Sequence, residues 1–183
     1  MKMRRITSAL TAIACTAGML AVFPSLADVT YAAEAVRNDF EETYEGWHGS
    51  TVDVDLVAAE GIGEAGSRGM TVTNRTSPSD GAASSKGFYL SGGISYDYSV
   101  DVYSENDETF HLSLLYIDEK TNEETVVELD SKDVKGGQWT KLSSEFKAPK
   151  DTYEYRLTIT TDSTNDFTFD NVLITNRVSK NTV

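Results

Sequence analysis

A strict alternation of apolar and polar side chains limits what this chain can fold into. In SYDYSVDVYS, apolar side chains occupy every second position from Tyr96 to Val102, and aspartate and serine fill the positions between them. EYRLTITTD repeats the pattern, with Tyr155, Leu157 and Ile159 separated by polar neighbours. A period of two residues is typical of a β-strand with one buried and one solvated face. Helical periodicity is almost absent, so the alternation predicts an all-β fold.

About ten such segments follow one another at regular spacing, separated by polar or glycine-containing turns. They lie near residues 38–41, 51–58, 70–75, 82–90, 95–103, 110–117, 125–134, 140–146, 155–161 and 167–175. Short strands at this spacing indicate a sandwich or barrel of about ten antiparallel strands. Residues 37–176 are enough for one domain with a hydrophobic core and leave no room for a second.

The first 33 residues have the pattern of a secretory signal peptide. Basic residues precede an apolar run from about Ile6 to Phe23, and small residues follow. Cleavage is expected after residue 27 to 33, so we expect a secreted, extracellular protein. The single cysteine, Cys15, lies in this leader, which leaves the mature chain without disulfides or thiol ligands. Residues 177–183 are polar and are interpreted as a tail or the start of a linker.

Charge and missing motifs exclude several functions. A formal net charge of −13 argues against nucleic acid as a partner, and no second apolar run approaches the roughly 20 residues of a membrane helix. The chain has only two histidines, His48 and His111, and contains no H-E-x-x-H, G-x-S-x-G or phosphate-binding glycine motif. Its many carboxylates could supply a glycosidase pair, but in so acidic a chain that test does not discriminate. We expect no catalytic activity of its own.

The segment NDFTFDNVLIT is predicted to be a closing strand that contains a misplaced carboxylate. Asp170 lies among the apolar side chains of Phe167, Phe169 and Val172. A buried, unpaired carboxylate costs several kcal/mol, so Asp170 must be exposed, paired with a cation or neutralised.

Five segments in order carry a wider pattern over about residues 38–175. They are NDFEETYEGW, GSRGMTVTNRT, GISYDYSVDV, GGQWTKLSSEFKAP and FTFDNVLIT. Together they resemble the carbohydrate-binding modules of family 22, and of families 4 and 9, that are attached to bacterial xylanases and related glycoside hydrolases. The resemblance implies a jelly-roll β-sandwich of the galactose-binding-like type, with a structural calcium ion and a glycan cleft on the concave sheet.

The resemblance also implies a role for Asp170. In such modules an acidic residue of the opening F-E segment and the aspartate of the closing strand share calcium with carbonyls of an early glycine-containing turn. Here these are Glu41, Asp170 and the backbone around Gly66 to Gly69. A set of oxygen ligands suits calcium. The alternative is that Asp170 caps a strand end or is exposed there.

The cleft of the xylan binders is poorly matched. Ser79 and Val126 stand where the family has a tryptophan and a tyrosine, and Thr158 and Thr160 replace a Y-x-E pair. Arg75 of the R-T pair remains, either as a ligand or as a structural residue. Because sugars are bound mainly through aromatic faces, the inherited cleft has lost its main contacts.

Other side chains remain candidates for ligand contact. By alternation, the cleft face carries the polar residues His111, Ser113, Arg156, Thr158 and Thr160, although an ordinary solvated sheet face would show the same pattern. Tyr44, Tyr89, Tyr103 and Tyr153 are candidates for exposed aromatic contacts at loops or an edge. Trp47 and Trp139 are expected to be structural, the latter packing at a sheet edge.

The sequence therefore predicts a secreted, non-catalytic carbohydrate-binding module for xylan or a related β-glycan. Its expected partners are a polysaccharide or oligosaccharide and a glycoside hydrolase catalytic domain. The alternatives are a non-binding structural or stabilising module, or the N-terminal fragment of a secreted xylanase-type hydrolase.

Overall fold

The computed structural model describes residues 34–84, 88–118, 121–148 and 154–177. The predicted signal peptide and residues 178–183 lie outside these ranges. Within them, no helix has the length and apolar character needed to cross a membrane.

The described ranges contain twelve strands and one short 3-10 turn, Glu64–Gly66. The strands are β1 (Glu34–Asn38), β2 (Trp47–Gly49), β3 (Asp55–Ala59), β4 (Gly69–Thr73), β5 (Ala82–Ser84), β6 (Phe88–Tyr89), β7 (Ser95–Tyr103), β8 (Glu108–Asp118), β9 (Glu123–Val134), β10 (Thr140–Lys147), β11 (Glu154–Thr161) and β12 (Phe167–Asn176).

The strands form two antiparallel sheets of six strands each. Sheet A has the order β10-β7-β12-β4-β3, with β1 also paired to β12. Sheet B has the order β2-β5-β11-β8-β9, with β6 also paired to β11. Apart from the consecutive pairs β3–β4 and β8–β9, neighbours in each sheet are not consecutive in the sequence, as in sandwiches with long crossover connections. The arrangement confirms the predicted all-β fold.

One hydrophobic core fills the space between the sheets. The alternating apolar positions of β7 and β11, from Tyr96 to Val102 and from Tyr155 to Ile159, are buried as predicted. Across the core, the Trp47 ring of sheet B lies 4.9 Å from the Phe169 ring of sheet A, measured between centroids. The two inner faces therefore pack directly on each other.

Several strand ends differ from the predictions. The strand predicted over 51–58 is β3, which begins only at Asp55. Within the segment predicted as one strand over 82–90, the described residues include β5 and β6, and residues 85–87 lie outside the described ranges. The strand predicted over 38–41 is β1, which covers Glu34–Asn38. It ends there because Phe40 has a left-handed backbone conformation, with φ +59. The Phe40 ring is fully buried. Strand β2 was missed, since three residues are too short to show alternation.

Strand β12 is central to sheet A. It pairs with β4 and β7, and beyond a register shift between Asp170 and Leu173 it continues beside β7 and gains β1 as its other neighbour. Asn171, at that bulge, has φ +51. The bulge begins at Asp170, whose side chain points towards the turn of residues 61–69.

Candidate functional site

Strands β8 and β11 bring four of the predicted ligand residues together on the outer face of sheet B. The register places Thr160 opposite His111, Thr158 opposite Ser113 and Arg156 opposite Leu115. All of these side chains are half-buried, whereas the intervening residues of both strands belong to the core. We call the outward side chains of β8, β9 and β11 the sheet B face.

His111 is held between two carboxylates on this face. Its Nε2 lies 2.8 Å from Asp162 Oδ1 and its Nδ1 lies 3.2 Å from Glu128 Oε2. Partial burial lowers the pKa of His111, but the hydrogen bonds and charges of Asp162 and Glu128 outweigh it and place the pKa above its ordinary value. The bond to His111 in turn lowers the pKa of Asp162. The imidazole therefore gains a proton readily and stays fixed in orientation.

Asp162 also lines a cleft of about 430 Å³ at one end of the sheet B face. Thr109 and Asp133, joined by a 2.9 Å hydrogen bond, form part of its wall. Beneath them Glu108 is buried and accepts hydrogen bonds from Ser163 and Asn165, each at 2.6 Å. Hydrogen bonds between side chains thus hold several of the polar groups that line the cleft.

Aliphatic side chains occupy the other end of the sheet B face. Val126 and Ile117 are 59% and 45% exposed, and Leu115 lies beside Val126 in the register. Val126 is the residue that aligns with the family's tyrosine. On the described strands β8, β9 and β11, no outward position carries a phenylalanine, tyrosine or tryptophan.

Arg75 lies away from this face, inside a loop. Its side chain is 6% exposed, and its guanidinium donates to Asp80 O at 2.7 Å, Thr161 Oγ1 at 2.8 Å and Asn165 O at 2.6 Å. The guanidinium carbon also lies 4.9 Å from the Phe167 ring centroid. Of the two roles that the sequence leaves open for Arg75, this geometry favours the structural one.

Asp170 is fully buried and is bonded to the turn of residues 61–69. Its Oδ2 accepts from Glu64 N at 3.0 Å and contacts Ser67 Oγ at 2.7 Å, while Oδ1 accepts from Asn171 N at 2.7 Å. Burial raises the pKa of Asp170 more than these hydrogen bonds lower it. Glu41 is exposed and accepts from Arg68 N at 3.2 Å, so both predicted metal ligands contact the same turn.

The oxygen atoms around Ser67 test whether a cation fits here. Ser67 Oγ lies 2.6 Å from Glu64 O and 2.7 Å from Asp170 Oδ2, but a hydroxyl has one hydrogen to share between these two acceptors. A cation, or a proton on Asp170, would relieve the remaining oxygen contact. Carboxylate, hydroxyl and carbonyl oxygens are ligands that calcium accepts. Because no three His, Cys, Asp or Glu side chains of the described ranges cluster as metal ligands, main-chain carbonyls would have to complete the set.

The two tryptophans differ in environment. Trp47 is a core residue, as predicted, and its Nε1 donates to Asn38 Oδ1 at 3.2 Å. Trp139 is only half-buried and packs at a sheet edge against Tyr103 of the outer face of sheet A. Its outward position follows from the alternation of β10, in which Leu142 and Phe146 point inward.

Comparison with known proteins assigns the family. A family model described as a carbohydrate binding domain, of families 4 and 9, matches residues 33–166. Endo-1,4-beta-xylanase Y of Acetivibrio thermocellus is 46% identical over 180 residues, which are 97% of this chain and 17% of that enzyme. The chain thus spans 17% of the length of this curated relative.

Solved structures agree with this match. The CBM22-1–GH10 modules of Clostridium thermocellum endo-1,4-beta-D-xylanase 10B, complexed with xylohexaose, share 49% identity with a TM-score of 0.76, over 83% of this chain and 30% of theirs. The C-terminal family 22 module of the same enzyme, 22% identical, has the same fold with a TM-score of 0.68 over 78% of this chain and 92% of its own. Fold, match and order of segments agree, and the chain belongs to the carbohydrate binding domain family.

Proposed function

We propose that this domain binds a β-1,4-linked xylan chain on the sheet B face, as a non-catalytic module of a xylanase-type glycoside hydrolase. A curated relative is named as an endo-1,4-beta-xylanase, and a structure 49% identical to this chain was determined with xylohexaose. Both support xylan as the ligand and a hydrolase as the neighbour.

The observation that carries the proposal is the register of β8 and β11. It aligns His111, Ser113, Thr158 and Thr160 in two adjacent cross-strand pairs on an open sheet. Outward side chains on one strand recur about every 7 Å, which is comparable to the size of a sugar residue. Successive rings of one chain could therefore each meet a hydrogen-bonding pair.

The groups of the sheet B face suit an uncharged polyol. Hydroxyls of Thr158 and Thr160 both donate and accept, and Arg156 donates. Leu115, Ile117 and Val126 offer apolar surface to C–H groups of a sugar ring, in place of an aromatic platform. Aliphatic side chains provide a weaker contact than a ring, so we expect modest affinity.

Calorimetric titration with xylohexaose tests the proposal. The double substitution Thr158→Ala with Thr160→Ala should weaken binding about fivefold or more, since each hydrogen bond contributes roughly 1 kcal/mol. Thr175→Ala, on the outer face of sheet A, is the matched control and should leave affinity unchanged. If neither xylohexaose nor oligosaccharides of mixed-linkage glucan, mannan or cellulose bind, the alternative of a structural or stabilising module replaces the proposal.

We also propose that calcium binds at the turn of residues 61–69. The residues that would hold it are Asp170 and Glu41, with the Ser67 hydroxyl and main-chain carbonyls of the turn. The contacts of Ser67 with two acceptor oxygens support this proposal. The bound ion would join β12 to the turn and stabilise the fold, with no part in ligand chemistry.

Thermal unfolding with and without a chelator tests the calcium proposal. Chelation should lower the Tm of the wild type, and Glu41→Gln should reduce that decrease. Asp170→Ala should abolish it if the variant folds. A Tm that is the same in chelator and in excess calcium would overturn the proposal.

We propose, finally, that the protein is exported. The leader pattern of the first 33 residues and the xylanase relatives support this. N-terminal sequencing of protein from the culture medium of an expressing bacterium should give a start between residues 28 and 34. Retention of the full chain inside the cell would contradict export.

A further inference from the structure

An aromatic pair lies at one corner of the outer face of sheet A, on the opposite side of the sandwich from the sheet B face. Tyr103 is the last residue of β7, and Trp139 immediately precedes β10. Thr140 pairs with Val102, so the antiparallel register places Trp139 opposite Tyr103. The ring centroids are 5.6 Å apart and the ring planes meet at 37°.

Partial exposure distinguishes this pair. Both rings are half-buried. Every other ring pair found among the described residues includes at least one ring that belongs to the hydrophobic core. Tyr103 and Trp139 therefore offer aromatic surface that the fold has not fully enclosed.

The loop that follows Tyr103 is hydrogen-bonded to the loop that precedes Trp139. Gly137 N donates to Ser104 O at 2.8 Å, and Gly136 N donates to Asp107 Oδ1 at 3.0 Å. Lys135 forms an ion pair with the same aspartate. A Cβ on Gly136 would lie 2.5 Å from Glu105 O, so the close approach of the loops requires glycine at this position. The rings are held in place before any ligand arrives, which reduces the entropy lost on binding.

Polar groups adjoin the rings. The Tyr103 hydroxyl donates to Glu105 Oε1 at 2.8 Å, and this exposed carboxylate retains lone pairs for further donors. In the next positions of the same cross-strand row, Thr168 Oγ1 and Thr71 Oγ1 are 3.0 Å apart. Aromatic surface bordered by carboxylate and hydroxyl groups is what a sugar ring needs, since it presents C–H groups on its face and hydroxyls around its edge.

We infer that Tyr103 and Trp139 form a second carbohydrate-binding site, which takes an uncharged sugar ring against its aromatic surface. The family to which the chain belongs supplies the class of ligand. The acidic groups Glu105 and Asp107 nearby disfavour an anionic sugar. This site does not depend on the sheet B face, and the two can be tested separately.

Intrinsic fluorescence gives a direct measurement. The chain has two tryptophans, and Trp47 is only 4% exposed, so a ligand that contacts an indole should act on Trp139. Addition of xylohexaose should shift the emission maximum to shorter wavelength in a saturable way. Cellohexaose provides a second uncharged probe. An emission spectrum that neither oligosaccharide changes would overturn the inference.

Variants locate the response. Tyr103→Ala should weaken the affinity measured by fluorescence about five- to tenfold, as expected for loss of a stacked ring. Tyr103→Phe, which keeps the ring, should retain most of it. Val52→Ala shortens an exposed apolar side chain outside both proposed sites and serves as the control, with no change expected. If Tyr103→Ala binds as the wild type does, the site is wrong, and circular dichroism of each variant establishes that it has folded.

The same titrations separate this site from the proposed function. In the Thr158→Ala with Thr160→Ala variant, the fluorescence response should persist with unchanged affinity, while calorimetry should show weaker binding at the sheet B face. If Tyr103→Ala has no effect while the threonine variant loses all binding, the second site fails and the sheet B proposal stands. If the opposite holds, the sheet B proposal fails and the second site stands. Sedimentation that reveals a dimer lost in Tyr103→Ala would instead assign the aromatic pair to contact between two copies, against the inference.

Discussion

The Ser67 hydroxyl lies 2.7 Å from the carboxylate of Asp170, a residue 103 positions further along the chain. The contact joins the turn before β4 to the middle of β12, the two strands that pair in sheet A. Asp170 is fully buried, and its carboxylate oxygens lie within hydrogen-bond distance of Glu64 N, Asn171 N and Ser67 Oγ. Stability of the fold should therefore respond strongly to small changes at this contact.

Asp170→Asn should lower the free energy of unfolding by about 2 kcal/mol. An amide nitrogen in place of either carboxylate oxygen would face a main-chain donor, Glu64 N or Asn171 N, and leave it unpaired in the interior. Urea denaturation measures the change. Asp53→Asn, on an exposed turn, is the control and should change the free energy by less than about 0.5 kcal/mol. Equal effects of the two substitutions would contradict the structural role of Asp170.

Gly63→Ala should destabilise the protein by about 2 to 3 kcal/mol, as overpacking does. Its Cβ would lie 2.5 Å from Ser67 Oγ and 2.7 Å from Asp170 Oδ2. Gly61→Ala meets no atom within 4 Å but has φ +78, so it should cost only about 1 kcal/mol. Arg68 C would be a third close contact, at 2.8 Å. Combining Gly63→Ala with Ser67→Ala removes one of these three contacts, and the double variant should be more stable than the sum of the single effects. Strict additivity would show that the two sites do not interact.

Arg75→Lys should destabilise the domain by about 2 kcal/mol, because an ammonium cannot reproduce the forked hydrogen bonds to Asp80, Thr161 and Asn165. Thermal unfolding at neutral pH measures it. Arg156→Lys, on the half-buried sheet B face, is the matched control and should lower stability only slightly. A similar Tm for both variants would remove the structural assignment of Arg75.

His111 should make stability depend on pH. The carboxylates of Glu128, on β9, and Asp162, after β11, raise its folded pKa above the ordinary value of about 6.5. The folded state thus binds the proton more tightly than the unfolded state. The stabilisation is complete below about pH 6.5 and is lost as pH rises through the raised pKa.

The Tm difference between the wild type and His111→Gln, followed from pH 5 to 9, measures this effect, which should be small because both carboxylates are exposed. His48→Gln provides a control at the other histidine. A His111 imidazole that titrates by NMR at or below its ordinary pKa would show that the two carboxylates do not hold the proton.

The sequence could predict the inward faces of the sandwich because alternation is local. Each of the core positions of β7 and β11 follows from its own neighbours in the chain, and the burial of Tyr96 and Tyr98 confirms this. The hydroxyls of these tyrosines differ: Tyr96 accepts from Ser91 N at 2.9 Å, but the Tyr98 hydroxyl is buried and unpaired in the structure. Family membership likewise confirms the prediction of a carbohydrate-binding domain without catalytic activity of its own.

The other features of the candidate sites depend on contacts between segments that are distant in the sequence. His111 meets partners 17 and 51 residues away, and no local pattern indicates either. Arg75 lies in a loop without periodicity, so the local sequence does not predict its burial. The burial results from contacts with Thr161 and Phe167, which are distant in the sequence. The outward direction of Trp139 could have been predicted from the alternation of β10, because Leu142 and Phe146 point inward. Its pairing with Tyr103 could not, because it depends on the register between β10 and β7.

The central place of β12 also affects the order in which the domain can be made. β12 is bonded to β7 and β4 on its two sides, yet it is the last strand in the chain that the structure describes. A nascent chain that has not yet produced residues 167–176 cannot join those neighbours, and it lacks Asp170 to hold the turn of residues 61–69. Synthesis of nearly the whole domain must therefore precede completion of sheet A, and until then β7 and β4 carry open edges that other chains could pair with.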